Sequence, residues 1–450
     1  MKVKYLILGA GPTGLASALR LSQLGITDFL VIEKESKVGG LCRTFKQGEF
    51  YFDNCTHILF TLSDRIKKLM KEIKCQMTGY DRSAWVHAYN KRIHFPLQTS
   101  VSEFPIEKRI EVIKDIAKRH YTLHNKAMPH NYGEYLRNTF GEVLYQDFFL
   151  PYNTKLWQTD LYDMSLSWMK GRVPPLDLDI LLKSLFEPNT KWGVNSNLSY
   201  PNQRGFGEIT DKLFESIPNN TERFKFNVTV TDIDSRNKFI NLSDGSSIEY
   251  DTLITTIPLP LTLKMVGLDF HEAEYRHTKV VTTAIGFREE YRCPDDREHF
   301  QWCYFGDRSV PFYRLFNVSA VMEQPKHMYK TYLFDHNLPA GTYVSDQTKL
   351  NLFNSDVQHA IELGFMHKED EILSWQSKES EYAYPVPTLE RDEAMKRDHA
   401  KLESLKIYSR GRFGYWKYEC GNTDHSILQG LEIIDRLVEG KKEETIYGVE

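Results

Sequence analysis

The sequence predicts an α/β protein: a Rossmann-like domain assembled from separate parts of the chain, interrupted by a helical domain and a mixed β-sheet domain. Three observations predict it. The first 33 residues read as strand, glycine turn, helix and strand. Residues 224–257 alternate apolar and polar side chains and then close on a second apolar run. Near the other end, an amphipathic helix over Ile427–Val438 follows the capping-type stretch "NTDHS". At 450 residues the chain exceeds one simple core and suits two or three packed domains.

The opening segment justifies the first domain. Lys4 to Leu8 is a short apolar run that ends at a turn built from Gly9, Gly11, Pro12, Thr13 and Gly14. The turn has the G-x-G-x-x-G spacing and runs into a helical pattern through Leu15, Ala18, Leu19 and Leu21. A second apolar run, Phe29 to Ile32, ends in Glu33 and Lys34. The acidic residue stands about 20 positions past the last glycine, as a ribose-binding carboxylate does in a dinucleotide fold. Glycines let the backbone approach a pyrophosphate, whose charge then faces a helix N-terminus. A further glycine pair follows in "KESKVGGLCRT", with Gly40, Leu41 and Arg43. That segment resembles the motif large FAD-binding proteins carry after their second strand and that NAD dehydrogenases usually lack. It favours FAD over NAD; an ordinary glycine turn is the plain alternative.

Residues 224–257 read as a β-meander with turns at Ser235–Asn237 and Asp244–Gly245, followed by a buried strand over Thr252–Ile257. The expected division is therefore 1–78, 200–260 and 402–450 for the Rossmann-like domain, 103–199 for the helical domain, and 79–102 with 261–401 for the mixed sheet.

Composition narrows the function classes. Apolar residues make up 41% and charged ones 26%, an ordinary globular balance, and the net charge of −4 supplies no basic field for nucleic acid. The six cysteines (Cys42, Cys55, Cys75, Cys293, Cys303, Cys420) are scattered, with no CxxC pair and no histidine at metal-ligand spacing. Neither a disulfide framework nor a metal site is expected, and a reducing, cytoplasmic setting is. No apolar run reaches the roughly 20 residues a membrane helix needs. The apolar part of Met1–Ala10 reads as a buried first strand rather than a signal peptide.

Several segments gather aromatics, amides and arginines in loops, where bare packing does not ask for them. "FFLPYNTKLWQTDL" holds Asn153 and Trp157; "LSWMKGRVPPLD" holds Arg172; "KWGVNSNLSYP" holds Asn195. "QWCYFGDRSVPFYRLF" holds Trp302, Tyr304 and Arg314, "YAYPVPTLERD" holds Tyr384, and "GRFGYWKYECGNTDHS" holds Arg412, Tyr418 and Asn422. Singly, each has a bland reading: arginines usually lie solvated at the surface, and tyrosines and tryptophans mostly fill cores.

Together with "GAGPTGL" and "GGLCR", these segments resemble the eukaryotic-type UDP-galactopyranose mutases, in order and along nearly the whole chain. The resemblance implies a flavin-dependent isomerase with no net redox change. In that family, N5 of reduced FAD attacks the anomeric carbon of a nucleotide sugar and expels the nucleotide diphosphate; the sugar recloses as furanose instead of pyranose. NADPH or NADH is implied as the reductant, with Arg82 matching a residue used for it.

By the same resemblance Arg172 and Arg314 meet the departing diphosphate, Tyr384, Tyr418 and Asn422 lie on its phosphate side, and His57 stands on a loop beside the flavin. Phe95, Gln98, Asn153, Trp157 and Tyr304 fall on nucleoside positions, and Asn195 and Trp302 near the sugar. For FAD, Thr13, Glu33, Leu41, Cys55, Thr56, Val228, Arg412, Gly421, Asn422, Thr423 and Ser426 match cofactor contacts.

Departures cluster on the nucleotide and loop side. Cys55 and Thr56 replace the two glycines usual before the flavin-side histidine, Val321 replaces a tyrosine, Phe95 a tyrosine and Leu97 a phenylalanine. The sugar nucleotide can therefore differ from the family's. Two other readings share the opening stretch: an FAD oxidoreductase of the amine-oxidase or protoporphyrinogen-oxidase type, and a non-catalytic flavin or sugar-nucleotide binder. An amine oxidase has little use for two arginines and several phosphate-suited tyrosines, so the mutase reading requires Arg172 and Arg314 to face one cavity.

Overall fold

The strand β1 (Lys2–Leu8) runs through the middle of a seven-stranded sheet in a computed structural model that describes residues 1–122, 128–169, 172–174, 178–188, 197–289, 300–322 and 329–447. Its parallel neighbours are β2 (Phe29–Ile32) and the strand Ser247–Thr255, with Leu6 opposite Leu30 on one side and Leu253 on the other. Beyond these lie Phe224–Lys225 at one side and the meander strands Phe239–Leu242 and Val230–Asp234 at the other. The short strand Ile407–Ser409 adds to Ser247–Thr255 in parallel, so late residues complete a sheet begun by the first. Leu6, Ile7 and Leu8 are fully buried, each contributing about 1.5–3 kcal/mol of apolar transfer energy. Burial on both faces explains why Tyr5–Leu8 is an unbroken apolar run, whereas Lys2–Tyr5 alternates exposed and buried.

Helix α1 (Pro12–Gln23) begins with a proline, whose fixed φ and missing N–H suit the first turn. Its buried side rests on the helix Thr423–Glu439. Thr13 Oγ1 donates to the Ser426 carbonyl at 2.8 Å and Ser17 Oγ to that of Gly430 at 3.0 Å. The final helix thus starts four residues before Ile427, the start read from the apolar pattern, because its first turn carries polar residues.

A second seven-stranded sheet has the order Glu371–Pro385, His277–Arg288, Tyr329–Pro339, Arg314–Asn317, Trp302–Phe305, Ala84–Ala88, Lys91–His94. The helix Leu150–Trp157 packs on its strands Tyr329–Pro339 and His277–Arg288, while the helices Ile106–Thr122 and Tyr132–Leu144 pack on each other. The pattern over residues 131–149 reads as one helix, yet the backbone breaks at Gly141, whose φ is +86°. Asp115, from the preceding helix, reaches into the break and accepts from the Val143 N–H at 3.0 Å. Among the described residues, no helix is long and apolar enough to cross a membrane, and Cys42, Cys55, Cys75, Cys303 and Cys420 are all free thiols.

The α1 contact should be intolerant of added volume. A Cβ at Gly430 would lie 2.3 Å from the Thr13 carbonyl oxygen, which is backbone and cannot yield cheaply. Gly430→Ala is expected to cost about 1–3 kcal/mol, seen as a lower urea midpoint with an unchanged slope; an unaltered midpoint would contradict the packing described.

Candidate active site

Two glycine turns meet at the top of β1. Gly39 and Gly40 have φ of +116° and +55°, left-handed values that side chains resist. A Cβ on Gly40 would lie 3.3 Å from the Gly11 Cα, so the two turns approach backbone to backbone. Arg43 braces the second turn, donating from Nε to the Gly40 carbonyl at 3.0 Å and pairing with Glu35 at 3.1 Å. Glu33 is buried; its oxygens accept from the Ala10 N–H at 2.7 Å and the Glu35 N–H at 3.0 Å, and each keeps a lone pair for a ribose hydroxyl. Val228 is buried beside it and donates its N–H to the Glu33 carbonyl at 3.2 Å. Lys34, by contrast, is exposed.

The N-termini of α1 and of Thr423–Glu439 lie side by side, joined by the Thr13–Ser426 bond. Neither Gly11 nor Asn422 places a side-chain cap on the helix it begins. Open N–H groups and the positive ends of two helix dipoles therefore converge, which suits a diphosphate. Gly421 lends its carbonyl to Arg412 Nη1 at 3.0 Å, while Thr423 Oγ1 contacts the Cys42 thiol at 3.7 Å. These residues fit a flavin dinucleotide.

The strand Phe50–Asp53 leads into the loop that carries His57. Asp53 is buried and accepts from Thr44 Oγ1 at 2.6 Å, the Phe206 N–H at 3.0 Å and the Tyr200 hydroxyl; burial holds its pKa up at about 6. Asn54 Nδ2 donates to Ser380 Oγ at 3.0 Å. A carbonyl can only accept, so His57 Nδ1, 2.9 Å from the Cys55 carbonyl, carries the proton and Nε2 is left bare. The ring stacks on Phe206 at 5.2 Å. Burial foremost, then the Arg412 and Arg314 cations, push the His57 pKa down to about 4. Cys55 bonds through its thiol to the Leu41 carbonyl at 3.7 Å, and burial raises its pKa well above the usual thiol value. Neither Cys55 nor Thr56 takes a positive φ. The Thr56 hydroxyl is buried with no partner among the described residues.

The arginines sit beyond this loop. Arg314 lies opposite Asp335 in the second sheet and donates to one oxygen of that fully buried carboxylate from Nε at 2.9 Å and Nη2 at 2.7 Å. Thr282 Oγ1 holds the other oxygen at 2.7 Å. Arg314 also rests over the Tyr313 ring at 5.3 Å, and the Tyr313 and Tyr384 hydroxyls are 3.2 Å apart. The Tyr384 ring lies 5.9 Å from that of Tyr418, which supports Arg172 at 4.8 Å. Arg172 Nη2 donates to the Glu419 carbonyl at 2.7 Å and to Asn422 Oδ1 at 3.4 Å. Arg412 lies over both Tyr384, at 5.0 Å, and Tyr418, at 5.5 Å. A continuous run of contacts thus joins Arg172 to Arg314.

Among the residues expected at a nucleoside, Trp157 is buried edge-on to Tyr418 at 5.0 Å. Asn153 is buried between the Phe149 carbonyl, 2.7 Å from its Nδ2, and the Tyr132 hydroxyl, 3.1 Å from its Oδ1. Tyr304 contacts Phe95 at 5.2 Å and Tyr152 at 5.5 Å, and Arg82 lies over Phe95 at 4.9 Å. Gln98 is buried in the turn Leu97–Thr99. Trp302 is buried 6.4 Å from Tyr304. The indole N–H groups of Trp157, Trp168 and Trp302 lack partners among the described residues, as does that of Trp416 in the apolar core. Val321 is fully buried in the apolar core, and Asn195 lies outside the described residues. Sequence reading passed over Tyr152, Tyr313 and Asp335. Tyr313 adjoins a singled-out arginine in "PFYR" and was findable; Asp335 needed the strand register.

The fold and this site define a flavoenzyme. The chain matches the family described as flavin containing amine oxidoreductase over residues 12–285 and belongs to that family. Among solved structures it is similar to a reduced UDP-galactopyranose mutase, with a TM-score of 0.92 and 27% identity over 100% of this chain and 96% of that one. A protein from Exiguobacterium sp. 255-15, provisionally named a protoporphyrinogen oxidase, has a TM-score of 0.73 and 14% identity over 98% and 99% of the two chains. Putrescine oxidase bound to putrescine has a TM-score of 0.64 and 12% identity over 98% and 99%. The last two likenesses are of fold alone.

Acid should destabilise this arrangement. His57 and His399 both have folded pKa values of about 4, the latter through burial and then Arg410, against 6.5 for a free ring. In the pH interval between those values the unfolded chain binds protons that the fold refuses. Their contribution is complete above pH 6.5 and lost as pH falls to about 4. Urea midpoints measured across that interval should fall with acidification, less steeply in the double variant His57→Asn, His399→Asn. An equally steep fall in the variant would refute the assignment.

Proposed function

We propose that this chain is a flavin-dependent mutase of the eukaryotic UDP-galactopyranose mutase type, interconverting pyranose and furanose forms of UDP-galactose or a close relative. The observation carrying the proposal is the unbroken series of contacts from Arg172 through Tyr418, Tyr384 and Tyr313 to Arg314, beside the His57 loop. Reduced flavin, when bound, supplies a nucleophile for the anomeric carbon. The protein's task is then to receive the diphosphate, which gains a third negative charge as its bond to the sugar breaks, and to return it, which calls for preorganised charge.

The two arginines are unequal. Arg314 is charge-compensated by Asp335 and held in a fixed plane. Arg172 donates to a carbonyl and an amide oxygen, with no carboxylate in salt-bridge reach among the described residues. Arg172 therefore brings net attraction for the anion and Arg314 brings orientation, while Tyr384 and Tyr418 offer hydroxyl donors. Phe95, Gln98, Asn153, Trp157 and Tyr304 enclose the nucleoside, with Trp302 toward the sugar; for Asn195 a sugar contact rests on the resemblance alone. NADPH or NADH primes the flavin, with Arg82 recognising its phosphates, in a cytoplasmic setting.

Family membership alone leaves a second reading, an FAD oxidoreductase, which this cluster of arginines and tyrosines disfavours. Chromatography after dithionite or NADPH reduction separates the two. The reduced protein should equilibrate UDP-galactofuranose with UDP-galactopyranose, the oxidised protein should not, and Arg314→Ala should lower kcat by about 10²–10³-fold. Amine-dependent flavin reduction and peroxide formation, with no sugar conversion, would sink the mutase reading.

A further inference from the structure

Arg391 is fully buried and Glu419 nearly so. The guanidinium grips the carboxylate with both prongs, Nη1 to Oε2 at 2.9 Å and Nη2 to Oε1 at 2.8 Å. Nη2 also donates to Ser167 Oγ at 3.0 Å, and Nε to Asp392 Oδ1 at 2.9 Å. Desolvating such a pair costs several kcal/mol and returns little net stability. Its value here is therefore sought in geometry.

The geometry leads to Arg172. Among the described residues, the partners of that side chain all lie within residues 418–422: the Tyr418 ring, the Glu419 carbonyl and the Asn422 amide. Arg391 holds the middle of that turn through the Glu419 carboxylate. Through Ser167 it also holds the segment leading into Arg172, where Trp168 meets the Tyr418 ring at 5.4 Å. That segment is tied to the chain before Arg391 as well, by the Ser165 N–H to the Pro387 carbonyl at 2.8 Å and a bridge between Met164 and Thr388. One buried guanidinium thus joins the stretch bearing a cation to the turn that orients it.

We propose that Arg391 is a positioning residue for diphosphate binding: acting through Glu419 and Ser167, it sets where the Arg172 guanidinium meets the phosphates. The proposal rests on the mutase reading of the site. Only a planar fork can serve a two-oxygen carboxylate and a hydroxyl together; lysine keeps the charge and loses this geometry.

The test is a double-mutant cycle on flavin-loaded, oxidised protein, with uridine diphosphate as the titrant in calorimetry. Arg391→Lys should weaken uridine diphosphate binding on the order of 10–100-fold, with flavin content and absorption spectrum retained. In an Arg172→Ala background the same change should add about twofold or less. An equal loss in both backgrounds would mean a general structural role and overturn the proposal. Should Arg391→Lys fail to hold flavin, Ser167→Ala takes its place in the cycle, with the same pattern expected at smaller amplitude. If Arg172→Ala leaves binding unchanged, the diphosphate reading falls and takes the proposal with it. If Arg172→Ala weakens binding and Arg391→Lys does not, the proposal alone falls.

Discussion

Four guanidinium groups gather on one connected cluster of aromatic rings, and holding them there against their mutual repulsion is the constraint around which the rest is arranged. Each lies over an aromatic face: Arg82 on Phe95, Arg172 on Tyr418, Arg314 on Tyr313, and Arg412 on Tyr384 and Tyr418. A cation over a ring gains about 0.5–2 kcal/mol, depending on desolvation. Carbonyl and amide oxygens of Ala383, Glu419, Gly421 and Asn422 take up donors from Arg172 and Arg412. The residual field is felt next door, where Arg412 and Arg314 add to burial in keeping the His57 ring neutral.

How much of this the sequence disclosed depends on how local each feature is. The βαβ start and the meander were legible because apolar period and turn chemistry act over a few residues. The break at Gly141 was not, because a glycine inside a helical pattern is usually tolerated; Asp115, on another helix, decides it. The individual arginines stood out only through the family resemblance, and their supports did not stand out at all. Asp335 becomes the partner of Arg314 through antiparallel register, and Arg391 meets Glu419 by the docking of two distant segments. Long-range pairing leaves no periodic trace.

The loop before His57 shows a departure absorbed by its surroundings. Cys55 and Thr56 stand where glycines are usual, yet neither needs a left-handed backbone in the conformation described. Asp53 is fastened by Thr44, Tyr200 and Phe206 at the root of the loop, and Phe206 in turn carries the stacked imidazole. A rearrangement requiring positive φ at either position would cost about 1–2 kcal/mol per residue. The substitution thus biases the loop toward this one conformation, with the bare Nε2 of His57 as its one open imidazole acceptor.

The same logic separates the two arginines proposed to meet the diphosphate. A cation already paired with a buried carboxylate, as Arg314 is with Asp335, has little net charge left to draw an anion but cannot easily turn away. A cation held by neutral oxygens and a ring, as Arg172 is, keeps its charge and depends on its neighbours for direction. Placing the compensated cation in a rigid sheet and the uncompensated one at a turn divides orientation from attraction. The turn can serve that purpose only if something stiff lies behind it, and Arg391, buried and forked into Glu419, is the stiff element in the right place.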